Sequence, residues 1–315
     1  MRFAPYLVML ALCGCAASHS QKDDATATSE EFVALGIIHR FHDASALSED
    51  RFNNLYVMEA SSNSVIKLSP QGDSIRATGG IGSEHNQFNN PIDIDARMTN
   101  TVFIADYANH RIEQYTKDLT YVATISTRAS TNTASRFGYP QAVATDAAGN
   151  IYIADGENKR VIKMRSDYSI ERTIGSFSEA TRPDAVLSNP VDLAVTSDEH
   201  LIVLDNGGAS LVSYDNLGNA LARVDLGASA GSICTSNDTI FALIPREKLV
   251  RRFVSSQLRE VGAVRLHDPE AGAESPAPFV CFLARSGTYY LLTRRCLYSF
   301  GNLGSIIARP TLYPD

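Results

Sequence analysis

Six acidic residues recur in register along this chain of 315 residues. Asp106, Asp155 and Asp205 stand 49 and 50 residues apart, and Glu59 precedes them in the same local pattern. Asp93 and Asp192 each end a Pro-x-Asp triplet. Carboxylates gathered in one place suit a hard cation, and the sharper reading is a Ca²⁺ site drawn from Glu59, Asp93, Asp192 and Asp205. The plainer reading is that each repeat acid bonds the amides of its own turn and pairs with an arginine. Arg111 and Arg160 follow Asp106 and Asp155 by five residues, whereas Ser64 and Ser210 hold that place after Glu59 and Asp205. The plainer reading therefore covers Asp106 and Asp155 and fits Glu59 and Asp205 less well. It leaves Asp93 and Asp192 unexplained.

Signatures of catalysis are sparse. His110 and His200 fall in turns at opposite ends of their strands, and His85 and His267 fall in linkers. No three histidines share a repeat position, as a zinc site would need. No Gly-x-Ser-x-Gly or other nucleophile motif occurs, and no catalytic residue is assigned. Cys281 and Cys296 are expected on the first and third strands of one unit, roughly 10 Å apart and too far to bridge. Cys234 and Cys281 fall on the first strands of neighbouring units and are placed to meet, although buried free thiols are the simpler expectation.

The acids must be positioned by a repeat, and Phe137–Asp167 shows its grammar most clearly. Gln141–Asp146 alternates in polarity, Ala147–Asn150 is a turn, and Ile151–Ala154 is a compact β-rich run. A polar turn, Asp155–Lys159, then reverses the chain into Arg160–Met164. Phe88–Asp118 and Leu187–Asn216 repeat this order, with Pro91, Pro140 and Pro190 spaced 49 and 50 residues apart. Weaker copies are Ala46–Leu68, Ser232–Phe253 and Phe279–Phe300, the second of which loses the acid and is aligned with Leu243 in its place. Small antiparallel sheets at a fixed period must stack to bury both faces, which predicts an all-β, six-bladed β-propeller of four-stranded blades.

These motifs resemble the NHL repeat. The matching features are Phe-x-x-Pro, then Gly-Asn-Ile-Tyr-Ile-Ala-Asp, then turns such as Asp106–Ile112 and Asp155–Val161. The resemblance covers Leu47 to Gly301, is strongest in the middle three units, and implies a six-bladed propeller. It implies little about activity, because the family includes enzymes, RNA binders and protein-binding scaffolds. Related propeller enzymes hold zinc with channel histidines or a central metal with Glu, Asn and Asp. The acids here leave the second arrangement open without matching its motif.

At the N-terminus, Arg2 precedes the apolar run Phe3–Leu12, and Leu12-Cys13-Gly14-Cys15 closes it. The run is too short to span a bilayer and reads as a secretory signal peptide, residues 1–14. The closing tetrapeptide resembles a bacterial lipobox with Cys15 as the lipidated residue. The alternative is an ordinary signal peptide with two incidental cysteines. Residues 15–31 are polar and read as a flexible tether, and residues 32–310 as the propeller. Ala16 rather than aspartate after Cys15 favours the outer over the inner membrane. Phe32–Phe41 is expected to complete the last blade, with Gly304–Ala308 as the rival segment.

A net charge of −7 and secretion argue against a nucleic-acid partner. The linkers Ser126–Tyr139 and Ser176–Asn189 are long for a compact repeat array and carry Arg128, Arg136, Phe177 and Arg182. They are expected on the same face as the aspartates, opposite the minimal turns. The resulting expectation is a lipid-anchored cell-envelope scaffold whose linker face binds a protein, glycan or small molecule. The alternative is a metal-dependent lactonase-like or lyase-like enzyme.

Overall fold

The computed structural model describes residues 30–302, apart from 99, 133–134, 178–181, 206, 255, 268–278 and 286–287. The expected signal peptide, Cys15, nearly all of the tether and Gly304–Ala308 lie outside the described residues. Four separate four-stranded sheets and one eight-stranded sheet form six blades around a central channel. Blade 1 is β2–β5 (Ala44–Glu49, Leu55–Glu59, Ser64–Leu68, Ser74–Gly79) and blade 2 is β6–β9 (Pro91–Asp95, Thr101–Asp106, Arg111–Thr116, Tyr121–Ile125). Blade 3 is β10–β13 (Pro140–Thr145, Ile151–Asp155, Arg160–Met164, Ile170–Ile174). Blade 4 is β14–β17 (Asp192–Val195, Leu201–Asp205, Ser210–Tyr214, Ala220–Asp225). Blade 5 is β18–β21 (Ser232–Ser236, Thr239–Ile244, Leu249–Val254, Arg259–Leu266). Blade 6 is β22–β24 (Phe279–Arg285, Thr288–Thr293, Cys296–Asn302), completed by the N-terminal β1 (Glu30–Arg40).

The second strands carry near-continuous apolar runs because both faces of each blade are covered. Leu55 and Val57 pack towards blade 6, whereas Tyr56 and Met58 point into the seam with blade 2. Alternation with period two thus feeds two cores from one strand. Six apolar clusters fill the six seams, one between each pair of neighbouring blades. At the end opposite the linkers, short Asp-x-x-x-Asn turns reverse the chain. Asp146 accepts the Asn150 N–H at 2.9 Å, and Gly149 takes φ +87°, a conformation open to glycine at little cost.

The ring closes through β1, which pairs antiparallel with β24 from Phe32↔Asn302 to Arg40↔Cys296. This is the closure expected for Phe32–Phe41. The start of β1 also pairs parallel with β21, Glu30–Phe32 against Val264–Leu266, so the outer edges of blades 5 and 6 join into the eight-stranded sheet. One alignment shifts by a residue. The turn after the second strand ends on a left-handed residue four positions past the repeat acid, at Asn63, His110 and Lys159. In blade 5 that residue is Lys248, which places Ile244 rather than Leu243 where the acid stands. Cys234, Cys281 and Cys296 are free thiols.

Candidate functional site

The acids at the ends of the second strands clamp the incoming linkers. Asp106 accepts the Asn89 N–H at 2.8 Å and the Arg111 Nε at 2.8 Å. Asp155 accepts the Gly138 N–H at 3.2 Å and the Arg160 Nε at 3.0 Å. These two follow the plainer expectation. Glu59 and Asp205, expected to be less well explained, are engaged in the same way. Glu59 accepts the His42 and Asp43 N–H groups at 3.1 and 2.5 Å and the Ser61 hydroxyl at 3.0 Å. Asp205 accepts the Ser188 and Asn189 N–H groups at 3.0 and 2.8 Å. Its arginine comes from another strand: Arg223, on β17, reaches it at 3.0 Å. A buried carboxylate must find donors locally, and here it finds backbone amides.

The proposed Ca²⁺ ligands are therefore separated. Glu59 and Asp205 point into their own turns, while Asp93 and Asp192 line the channel. Among the described residues, no three His, Cys, Asp or Glu side chains are grouped to hold a metal ion.

The first strands of all six blades enclose a channel cavity of about 170 Å³. An innermost strand has no partner towards the channel, so its N–H groups need acceptors from elsewhere. A polar side chain on the preceding blade supplies them. Asp93 accepts the Val143 N–H at 2.8 Å, Asp95 the Thr145 N–H at 2.6 Å and Asp192 the Ile233 N–H at 2.7 Å. Ser48 and Ser232 do the same for Ala96 and Phe282. Asp93 and Asp192 thus have a structural role that their sequence pattern did not reveal. The available signal was spacing, since Asp93 and Val143 lie 50 residues apart, one repeat period.

Burial pushes the Asp93 carboxyl up to about 6, and burial followed by the Asp93 charge pushes Asp192 up to about 8. Asp95 behaves oppositely: burial acts upward, but Arg97 outweighs it and holds the carboxyl below the ordinary range. The Arg97 Nε is 3.1 Å from Asp95, and its guanidinium comes within 3.5 Å of the Thr235 hydroxyl on blade 5, across the channel. Asp95 and Arg97 were not singled out from the sequence. Cys234 and Cys281 also line the cavity, and burial raises both thiols, Cys234 to about 12. Neither is a ready nucleophile at neutral pH.

On the linker face, Arg128, Arg136, Phe137, Glu157 and Asn158 surround a second cavity of about 440 Å³. Arg136 donates to the Ser130 carbonyl at 2.8 Å, while its own carbonyl accepts Arg160 at 2.8 Å. Phe177 is 89% exposed. Arg182 lies away from both cavities, paired with Asp184 at 3.2 Å and donating to the Ala220 carbonyl on the outer strand of blade 4. Arg128 and Arg136 are thus brought together, whereas Arg182 turns to the flank. Beside the second cavity, the Tyr107 and Tyr139 rings lie 5.1 Å apart and the His110 ring edges Tyr139 at 4.0 Å. The sequence reading had not placed these aromatic rings in a site.

Residues 137–164 match the family model described as the NHL repeat. With the blades above, they make this chain an NHL-repeat six-bladed propeller. None of the curated proteins matches the sequence. Among solved structures, the chain is similar to a gluconolactonase from Xanthomonas campestris, with 11% identity and TM-score 0.60, over 84% of this chain and 87% of that one. It is similar to virginiamycin B lyase from Staphylococcus aureus, with 9% identity and TM-score 0.58, over 87% and 99%. A nidogen/laminin complex contains a chain with 16% identity and TM-score 0.57, over 71% and 81%. At such identities these likenesses establish the fold and no more.

Proposed function

We propose that this protein is a cell-envelope binding propeller, anchored by lipid at Cys15 in the outer membrane, and presenting its linker face to a protein or glycan partner. One observation carries the reading. The channel carboxylates Asp93, Asp95 and Asp192 are engaged in joining blades, whereas the linker face holds an open cavity, the exposed Arg128 and the exposed Phe177. Concave surface with a few polar groups and exposed aromatics is the usual character of a recognition site. In the full chain, Arg128→Gln with Phe177→Ser is expected to abolish capture of envelope partners at unchanged melting temperature. Capture at parental strength would place the site elsewhere. Cys15→Ser is expected to move the protein from the membrane to the soluble fraction.

A second reading is a hydrolase or lyase working in the channel. It is favoured by Asp93 and Asp192 sharing one cavity with raised carboxyl values, and by fold likeness to a gluconolactonase and a lyase. Turnover of a lactone by the purified protein with added divalent metal, lost in Asp192→Asn, would favour this reading over the first.

A further inference from the structure

We infer that the seam between blades 2 and 3, on the linker face, binds a saccharide bearing a carboxylate, an inference that rests on the binding reading above. Four features converge there. First, the cavity of about 440 Å³ lies within the usual small-molecule range, roughly 300–1,000 Å³. Phe137, only 1% exposed, forms an apolar part of its wall.

Second, the Tyr139 ring is 40% exposed and is held from behind by Tyr107 and His110. The His110 Nδ1 accepts the Tyr139 N–H at 3.1 Å, which fixes the backbone that carries the ring. That backbone is left-handed, with φ 49°. One blade earlier the residue before the strand proline takes the same conformation, with φ 53°, but it is Asn90. Asparagine tolerates this region, whereas a tyrosine is an uncommon occupant. A bulky ring thus occupies a strained position that asparagine fills in the neighbouring blade, and it remains partly open to solvent. Strain of this kind tends to mark ligand sites.

Third, a cation and an acid line the same cavity. Arg128 and the Glu157 carboxylate both act on His110, yet among the described residues neither side chain makes a hydrogen bond or an ion pair. The Glu157 carboxylate lies against Gly138, where an added Cβ would come within 1.9 Å of its Oε2. Fourth, Asn158 gives its amide N–H groups to Asp155 and to the Arg136 carbonyl, which leaves its Oδ1 as an acceptor.

These groups match one ligand chemistry. The C–H face of a pyranose ring meets the negative face of Tyr139, which is rigid and costs little entropy to order. Arg128 pairs a single carboxylate, and Glu157 with Asn158 Oδ1 accepts hydroxyl protons. Arg136 is held through its Nε by the Ser130 carbonyl, and its terminal N–H groups remain as further donors on the same cavity wall.

The test is calorimetry and saturation-transfer NMR on the full-length protein in detergent. Three probes are used: a galacturonic acid tetramer, a neutral glucose tetramer, and a tetra-aspartate peptide. The acidic sugar is expected to bind at least tenfold more tightly than either control, with transfer to its ring protons. Tyr139→Asn, which restores the residue type at Asn90, and Arg128→Gln should each weaken it at least tenfold without lowering the melting temperature. Equal binding of the neutral sugar or the peptide, or indifference to Tyr139→Asn, overturns the inference. Should no tetramer bind while the parent still captures an envelope partner that Phe177→Ser loses, this inference fails and the binding reading stands. If neither binding is found, both fail.

Discussion

Blades 2 to 4 end their second strands on a buried acid that holds the incoming linker, and blades 5 and 6 end theirs on uncharged residues. In blade 3 the second strand ends on Asp155, which pairs across to Arg160. At the corresponding pair in blade 5, Ile244 faces Leu249. In blade 6 the second strand ends on Thr293, 1% exposed, whose hydroxyl accepts the N–H of Cys296 just past its own turn, at 3.0 Å. The backbone turn survives in blade 5, with a left-handed residue four places on, although its chemistry has changed. What the motif preserves is turn geometry. The charge is needed only where a linker brings an amide that must be met inside protein.

The two halves differ in closure as well. Blades 2 to 4 are each built from one continuous stretch, whereas blade 6 borrows β1 from the other end of the chain. The largest expected effect therefore comes from deleting residues 30–40. This removes the partner of β24 and uncovers two edges, and the variant should aggregate without a cooperative melt. A soluble, cooperatively melting variant would show that the ring closes without β1.

Next is Asp155→Ala. Removing one partner of a buried pair leaves Arg160 uncompensated, at a cost of about 3–5 kcal/mol in denaturant unfolding. Asp155→Ile with Arg160→Leu copies blade 5 and should recover part of that loss. No recovery would mean that blade 5 relies on features other than its apolar pair.

A smaller effect concerns pH. Folded Asp192 sits at about 8 against an ordinary carboxyl near 3.8, so over pH 4–8 the folded state binds more protons than the unfolded one. Stability from this group is full below pH 4 and is lost as pH rises through 8. Asp192→Asn keeps an acceptor for the Ile233 N–H but cannot ionise. Its melting temperature should change less with pH than the parent's, and should exceed it above pH 8. Parallel curves would remove Asp192 from the channel's pH response.

The smallest effect belongs to a charge pair that blade 5 does possess. Arg251 and Glu260 meet at 2.6 Å on the outside of the blade, with the Glu260 side chain 40% exposed. Glu260→Gln should cost under about 1 kcal/mol, and less at high salt. A cost approaching that of Asp155→Ala would erase the distinction between buried and exposed charge.

From its sequence alone, this chain determined a six-bladed propeller and the second strand of every blade. Period and alternation encode these, because each blade must bury two faces against neighbours that are copies of itself. The turn clamps at Asp106 and Asp155 were legible for the same reason: acid and arginine lie five residues apart on adjoining strands. Tertiary structure alone decided the rest. Arg223 reaches Asp205 from a strand 18 residues away, and Asp93 meets Val143 one whole blade on. The Tyr107, His110 and Tyr139 cluster forms only when the turn of blade 2 meets the entry to blade 3. Local pattern records which groups a strand buries against its own neighbours. Which side chain answers an unpaired amide across the channel depends on how the ring closes.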